Sequence, residues 1–200
     1  MFVKLAGRRV LVVGAGAVGE AKIRGLLDTG AHIRVVALQA NSTVRDWAAS
    51  GAISLEERAF APADLDGIFL VVAATSSRET NGFIFTEAQR RQNLCNVVDV
   101  PELCDFFYPA VVRRGDLQIA ISTAGQSPLL AQRVRKQLEL QFGPEYAEWV
   151  AELGKLRREV LGSDLPAERK RELLRSLAGQ DEFNFAEGIR SRGESEEEKS

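Results

Sequence analysis

The feature that most constrains this chain is a glycine-rich turn between an apolar run and a helical pattern. The β-branched run 9–13 leads into Gly14-Ala15-Gly16-Ala17-Val18-Gly19, and apolar residues then recur at helical spacing to residue 29. In such a strand–turn–helix unit, Gly14 permits the tight turn, Gly16 lets the backbone approach a pyrophosphate, and Gly19 allows close helix packing. The pattern therefore predicts a dinucleotide site at this turn. The alternative is a turn whose glycines serve packing alone.

Alternating strand and helix patterns continue after this turn. Apolar runs at 33–37, 53–56, 68–74 and 94–98 are typical of strands, and helical patterns begin near a Ser42 cap and near Glu79. This alternation predicts an α/β fold with a Rossmann-like parallel sheet, covered on both faces and joined by right-handed crossovers. We place this NAD-binding domain at residues 1–113.

After Pro101 the pattern changes. Two short strand patterns flank Arg114-Gly115-Asp116 and predict a hairpin, and Ser127-Pro128 predicts a helix start. Two further amphipathic stretches follow, at about 145–161 and 166–177. We expect a small α+β module at 114–143, a helical C-terminal domain at 144–190, and a disordered tail at 191–200, which lacks apolar residues.

The composition excludes several classes of function. No segment approaches the roughly 20 apolar residues that span a bilayer, and the net charge of -2 gives no general attraction to nucleic acid. The first residues show no secretory leader pattern, so we expect a cytoplasmic protein with no membrane or nucleic-acid partner. Cys95 and Cys104 are too few for a zinc site, and we expect no bound metal and a packing role for both.

The choice between NAD and NADP is less clear from the residues. The end of the second strand normally carries an acid for the ribose hydroxyls, but here it is Ala37-Leu38-Gln39. Gln39 or Asn41 can hydrogen-bond a ribose instead. The positive charge of Arg45 nearby is compatible with the extra phosphate of NADP, so the residues do not exclude NADP.

Candidate chemistry lies at the carboxyl ends of the predicted strands, where ligands bind in open α/β sheets. This rule places Thr75 beside the cofactor, and Asn96 and Asp99 beside the cofactor and substrate. Asp99 is the candidate catalytic residue, because its carboxylate can accept a proton as hydride leaves, or can orient the substrate. An aspartate that only caps the following turn is an equally good interpretation.

A second polar segment precedes the helix that starts at Pro128. Ser122 and Thr123 form a rim suited to anionic groups at a helix N-terminus, although helix capping by Ser127 explains the segment equally simply. Basic residues lie on both sides of this segment, at Arg113, Arg114, Arg133, Arg135 and Lys136. Arginine side chains suit the binding of substrate carboxylates, but a solvent-exposed helix face explains these basic residues as well. His32, the only histidine, begins a strand, and we expect a structural role for it.

Four segments stand out in this order: Val12-Val13-Gly14-Ala15-Gly16-Ala17-Val18-Gly19, Val72-Ala73-Ala74-Thr75, Cys95-Asn96-Val97-Val98-Asp99 and Ser122-Thr123-Ala124-Gly125-Gln126-Ser127-Pro128. Together they resemble the precorrin-2 dehydrogenase and sirohydrochlorin ferrochelatase family, which includes the N-terminal part of bacterial siroheme synthases. The first is generic, whereas the last two in this order are specific. The resemblance covers about residues 1–180 and includes the missing acid, which family members also lack.

The resemblance implies NAD-dependent oxidation of precorrin-2, a tetrapyrrole, to sirohydrochlorin in a homodimer on the siroheme or cobalamin route. It implies NAD contacts at Ala17, Val18, Leu38 and Gln39, and it makes Asp99 the key aspartate. Thr123 corresponds to a family serine in the substrate pocket. Residues 114–143 correspond to the family's dimerisation module.

Two alternatives stay open. Some members of the family also insert iron into sirohydrochlorin, and the residues do not decide whether this chain does so. A module that senses NAD(H) and performs no chemistry is the competing hypothesis. We also expect no methyltransferase domain of the kind fused to some siroheme synthases, so that another protein supplies the methylated substrate.

Overall fold

Five parallel strands form the sheet that the alternating pattern predicts. In the computed structural model, which describes residues 2–179, the sheet has the strand order β3-β2-β1-β4-β5. The strands are β1 (Arg9–Ala15), β2 (His32–Ala40), β3 (Ser54–Glu57), β4 (Leu70–Ala73) and β5 (Leu94–Val97). All four pairings are parallel, and the predicted Rossmann-like α/β fold is confirmed.

Helices cover both faces of this sheet. They are α1 (Ala17–Leu26), α2 (Ser42–Ala49) and α3 (Arg78–Arg90). On the central strand β1, Val10 and Val12 pack on the face that holds Ile23 of α1, while Leu11 packs on the face that holds Ile84 of α3. Burial on both faces explains why the strands are continuous apolar runs without alternation.

The structure corrects one predicted cap. Asn41, not Ser42, caps α2, and its Oδ1 accepts a hydrogen bond from Val44 N at 3.0 Å. The reason is that β2 continues to Ala40, three residues beyond the predicted run, so that the chain leaves the sheet at Asn41.

The chain divides into two units between Tyr108 and Pro109. In the second unit, β6 (Ala110–Arg114) and β7 (Leu117–Ile121) form the predicted antiparallel hairpin. Three helices follow, which are α4 (Pro128–Gln141), α5 (Tyr146–Gly162) and α6 (Ala167–Ala178). The predicted cap is present, because Ser127 Oγ accepts from Leu130 N at 3.3 Å.

The second unit buries few side chains within the residues described. Val112 and Ala131 are its buried apolar residues there, and α5 and α6 have none. Arg114 joins the hairpin to the end of α4 by donating from Nε to the Phe142 carbonyl at 2.8 Å. The division of this part at 143/144 stays a prediction, and the expectations for 180–190 and the tail 191–200 lie outside the described residues.

No helix within residues 2–179 is both long enough and apolar enough to cross a membrane.

Candidate dinucleotide and substrate site

The glycine turn has the geometry that its spacing predicts. Gly14 follows the apolar part of β1 and has a backbone φ of 108°, a conformation that residues with a side chain rarely adopt. A Cβ built on Gly14 would overlap the Ala74 carbonyl, which follows the neighbouring strand β4. A residue without a side chain is therefore required at this position for two separate reasons.

Gly16 and Gly19 have different surroundings. A Cβ on Gly19 would overlap the Gly14 carbonyl oxygen, so Gly19 allows α1 to pack on the turn. A Cβ on Gly16, the N-cap of α1, would meet nothing within 4 Å. Open space at the start of a helix is what an approaching phosphate group needs.

A cavity of about 1030 Å³ lies over this turn at the carboxyl ends of the strands. Most of the predicted cofactor residues line it together with the predicted catalytic residue: Gly14, Gly16, Ala17, Val18, Leu38, Gln39, Thr75 and Asp99. Leu38 is 76% exposed and offers an apolar surface to a ligand. Gly19 does not line the cavity, because it is buried under the turn.

Thr75 is held in place by a residue that the sequence analysis missed. Asn81 of α3 is buried; its Oδ1 accepts from Thr75 Oγ1 at 2.7 Å, and its Nδ2 donates to the Thr75 carbonyl at 3.0 Å. These bonds fix the loop after β4 on the cavity wall. Asn81 carries no sequence signal of its own, since its pairing with Thr75 depends on how α3 returns to the sheet.

Asp99 lies in the turn directly after β5 and is exposed. Its φ of 61° is in the left-handed region, which aspartate and asparagine tolerate better than most residues. The turn is closed by a hydrogen bond from Val100 N to the Val97 carbonyl at 3.3 Å. The carboxylate therefore stands at the sheet's ligand edge on a defined backbone.

Lys22 of α1 is a second residue that the sequence analysis missed. Burial lowers the pKa of Lys22, while the negative charge of Asp99 acts in the opposite direction. Its Nζ lies 4.0 Å from the centroid of the Tyr108 ring, a cation–π contact. In the sequence, Lys22 is marked only by its position, three residues after Gly19 on the helix that follows the glycine turn.

Asn96, a predicted substrate contact, is buried and does not line the cavity. Its Nδ2 donates to the Phe106 carbonyl at 2.8 Å and to Cys104 Sγ at 3.3 Å. These bonds fasten the segment after Asp99 to β5. They favour a structural role over direct substrate contact.

The two cysteines are held as thiols. Burial raises the pKa of Cys95 to about 12, and burial likewise raises the pKa of Cys104. Cys104 Sγ lies 3.2 Å from the Val97 and Val100 carbonyls, to which it donates. A thiol with a raised pKa is a poor nucleophile at neutral pH.

His32 lies far from this chemistry. It begins β2 and lines a smaller cavity of about 620 Å³ together with Arg9, the first residue of β1. That cavity is therefore at the amino ends of the strands, opposite the glycine turn.

In the second unit, Ser122 and Thr123 precede α4 and support its start. Ser122 Oγ accepts from Ala124 N at 3.1 Å, and Thr123 Oγ1 accepts from Ser127 N at 3.1 Å. A further bond, from Gln126 N to the Thr123 carbonyl at 2.9 Å, closes the turn. Both hydroxyls keep a hydrogen to donate.

Comparison with protein families identifies the first unit. The family described as "Putative NAD(P)-binding" matches residues 1–110, more than half of the chain. The chain belongs to this family. A second family, described as "Sirohaem biosynthesis protein central", matches residues 114–141 of this NAD(P)-binding chain. Membership confirms the predicted class of cofactor, a nicotinamide dinucleotide.

Individual relatives confirm the resemblance found in the sequence. Siroheme synthase 1 of Aeromonas hydrophila is 39% identical over 160 residues, which are 80% of the NAD(P)-binding chain and 35% of the relative. The siroheme synthase of Ectopseudomonas mendocina is 40% identical over 171 residues, 86% of the chain and 36% of the relative. The chain thus spans about a third of the length of these curated relatives.

A solved structure matches nearly the whole chain. The protein titled "SirC, precorrin-2 dehydrogenase" superposes with a TM-score of 0.80 at 29% identity. The match covers 96% of the NAD(P)-binding chain and 98% of SirC.

Proposed function

We propose that this chain catalyses the NAD-dependent oxidation of precorrin-2 to sirohydrochlorin in siroheme or cobalamin biosynthesis. The observation that carries the proposal is a single cavity that brings the glycine turn and Asp99 together. The likeness to SirC over almost its entire length supports precorrin-2 as the substrate. The free thiols Cys95 and Cys104 agree with a cytoplasmic location.

The cavity fits a dinucleotide. The missing Cβ of Gly16 leaves room for the pyrophosphate beside the start of α1, where backbone N–H groups lack helical acceptors. Gln39 is placed to hydrogen-bond a ribose, and Ala17, Val18 and Leu38 supply apolar contacts. When bound, NAD supplies the acceptor for the hydride that leaves precorrin-2.

The remaining step is the loss of a proton from the substrate. Asp99 accepts this proton and, because it is exposed, returns it to water after the reaction. Thr75, held by Asn81, shapes the wall between cofactor and substrate, while Ser122 and Thr123 are proposed to donate to substrate carboxylates.

We propose further that two copies of the chain associate through the second unit. Leu129 and Leu140 on α4 are 78% and 89% exposed, and they line a shallow groove with Arg133 and Lys136. An apolar stripe of this kind on a unit with so few buried side chains favours a second copy as its cover.

The decisive experiment is anaerobic mixing of the protein with precorrin-2 and NAD. Sirohydrochlorin and NADH absorbance are expected to appear together in equal amounts, and neither in a control without protein. The competing hypothesis, an NAD(H)-sensing module without catalysis, predicts dinucleotide binding with no NADH formed. That outcome would overturn the proposed activity.

A further inference from the structure

A carboxylate from the neighbouring strand lies at the end of β2, where the sequence of β2 itself has no acid. β2 pairs in parallel with β3, and Glu57 is the last residue of β3. Its Oε2 accepts a hydrogen bond from the backbone N–H of Ala40, the last residue of β2, at 3.2 Å. A carboxylate is therefore present at the end of β2, next to the cavity residues Leu38 and Gln39.

Glu57 also binds Arg45, the residue whose positive charge is compatible with the extra phosphate of NADP. Arg45 Nε donates to Glu57 Oε1 at 2.9 Å, and Arg45 Nη2 donates to Glu57 Oε2 at 2.8 Å. The bonds from Arg45 and from Ala40 N lower the pKa of Glu57 to about 2. The bidentate pair is therefore fully formed and formally neutral at physiological pH.

The other nearby cation is occupied as well. Arg58 is the only cation among the described residues that line the cavity. Its guanidinium donates from Nε to Glu56 at 2.9 Å and from Nη1 to Asp64 at 2.9 Å, and the same Nη1 donates to the Ala59 carbonyl at 2.8 Å. Neither arginine offers a free fork to an incoming anion.

We propose that Glu57 sets a preference for NAD over NADP by holding Arg45. This inference rests on the proposed function only in requiring a nicotinamide dinucleotide in this cavity. NADP differs from NAD by a 2′-phosphate, and folds of this kind accept that group with an arginine near the end of the second strand. Here Arg45 would have to leave Glu57, and Glu57 would then be an unpaired carboxylate beside the phosphate.

Glu57 is a positioning residue in this scheme, because it acts on the nucleotide through Arg45. The charge balance makes two opposite predictions. Glu57→Gln frees a positive charge and improves NADP binding, whereas Arg45→Ala frees a negative charge and weakens it. Neither change alters the glycine turn or the cavity floor, so NAD binding is little affected.

The test measures the dissociation constants of NAD and NADP by calorimetry on the full chain. We expect Glu57→Gln to lower the constant for NADP at least tenfold and to change that for NAD by less than threefold. We expect Arg45→Ala to raise the constant for NADP, and the double variant to lose the gain of Glu57→Gln. Glu172→Gln, which unpairs Arg169 on α6, is the matched control and should change neither constant.

Two results would overturn the inference. One is an unchanged ratio of the two constants in both single variants, with NAD still bound by the wild type. The other is a gain in NADP affinity that persists in the double variant, which would assign the phosphate to Arg58. Absence of NAD binding by the wild type would instead overturn the proposed function together with this inference, so the two failures are distinguishable.

Discussion

At the scale of single residues, the three glycines of the turn are not interchangeable. Gly14 needs both its positive φ and the absence of a side chain, because Ala74 lies against it. Gly19 needs only the absence of a side chain, whereas Gly16 meets no protein atom there. Three identical residues in the sequence therefore meet two structural requirements, at Gly14 and Gly19, and one that we assign to the ligand, at Gly16.

Alanine substitutions should separate these roles. Gly19→Ala forces α1 away from the Gly14 carbonyl, and we expect a loss of about 1–3 kcal/mol in the free energy of unfolding, as overpacking costs. Gly16→Ala should leave that free energy within about 0.5 kcal/mol and weaken NAD binding at least tenfold. Urea unfolding and calorimetry measure the two effects. A Gly16→Ala protein with wild-type NAD affinity would contradict the assignment of the pyrophosphate.

Asp99→Asn tests the proposed proton acceptor. Asparagine tolerates the left-handed backbone at this position, so stability and the dissociation constant of NAD should stay close to wild type. We expect the turnover number to fall about 100-fold or more, in the range that general bases contribute. Steady-state NADH formation gives the rate, with Asp116→Asn in the second unit as the control. Unchanged turnover would remove Asp99 from the site.

At the scale of secondary-structure elements, one buried carboxylate links a 3-10 turn to the edge of the sheet. Asp64 is 3% exposed in the 3-10 turn Pro62–Leu65. It pairs with Arg34 of β2 and with Arg58, which follows β3. Burial alone would raise the pKa of Asp64, but hydrogen bonds from Arg58 and Ala61 N and the charges of both arginines lower it overall.

Asp64→Asn should therefore destabilise the first unit. We expect the free energy of unfolding to fall by about 2–4 kcal/mol. This is at the lower end of the usual cost of breaking a buried ion pair, because both guanidinium groups stay partly exposed. The exposed Asp66 pairs with Arg91 at 3.4 Å, and Asp66→Asn, the matched control, should cost less than about 0.5 kcal/mol.

The pH dependence supplies a second check on Asp64. Its folded pKa lies below the ordinary value of 3.8, so its contribution to stability is complete above about pH 5 and is lost as the pH falls. The difference in unfolding free energy between wild type and Asp64→Asn should shrink between pH 5 and pH 3. A difference that does not change with pH would contradict the ion-pair explanation.

At the scale of the whole molecule, the two units differ in how much they bury. The first unit has two apolar clusters, one on each face of its sheet. The second exposes Leu129, Leu130 and Leu140 on α4. We propose that a further copy of the chain covers this surface.

Replacing Leu129 and Leu140 with serine should weaken dimerisation. Each buried leucine contributes about 1.5–3 kcal/mol, so we expect the dimer dissociation constant to rise more than 100-fold. Sedimentation equilibrium measures this constant, and Phe2→Ser, which is exposed in the first unit, is the control. A wild type that is monomeric at micromolar concentration would contradict the proposed dimer.

The sequence alone determined the class of fold and the position of the glycine turn. Strand and helix periods and the spacing of Gly14, Gly16 and Gly19 are local properties, readable within a few residues. The segments that end in Asp99 and Pro128 named the family, because their order along the chain is specific. The missed cap at Asn41 shows the limit of this information, since the end of β2 depends on its pairing with β1 and β3.

Only the tertiary structure decided which side chains meet around the cavity. Lys22 on α1 interacts with the charge of Asp99, which follows β5, and Asn81 reaches Thr75 because α3 packs against β4. Glu57 lies at the end of β2 because the parallel register sets Ala37 opposite it. These pairs are separated by 6 to 77 residues, and no local pattern encodes which distant strand ends or helix faces will be neighbours.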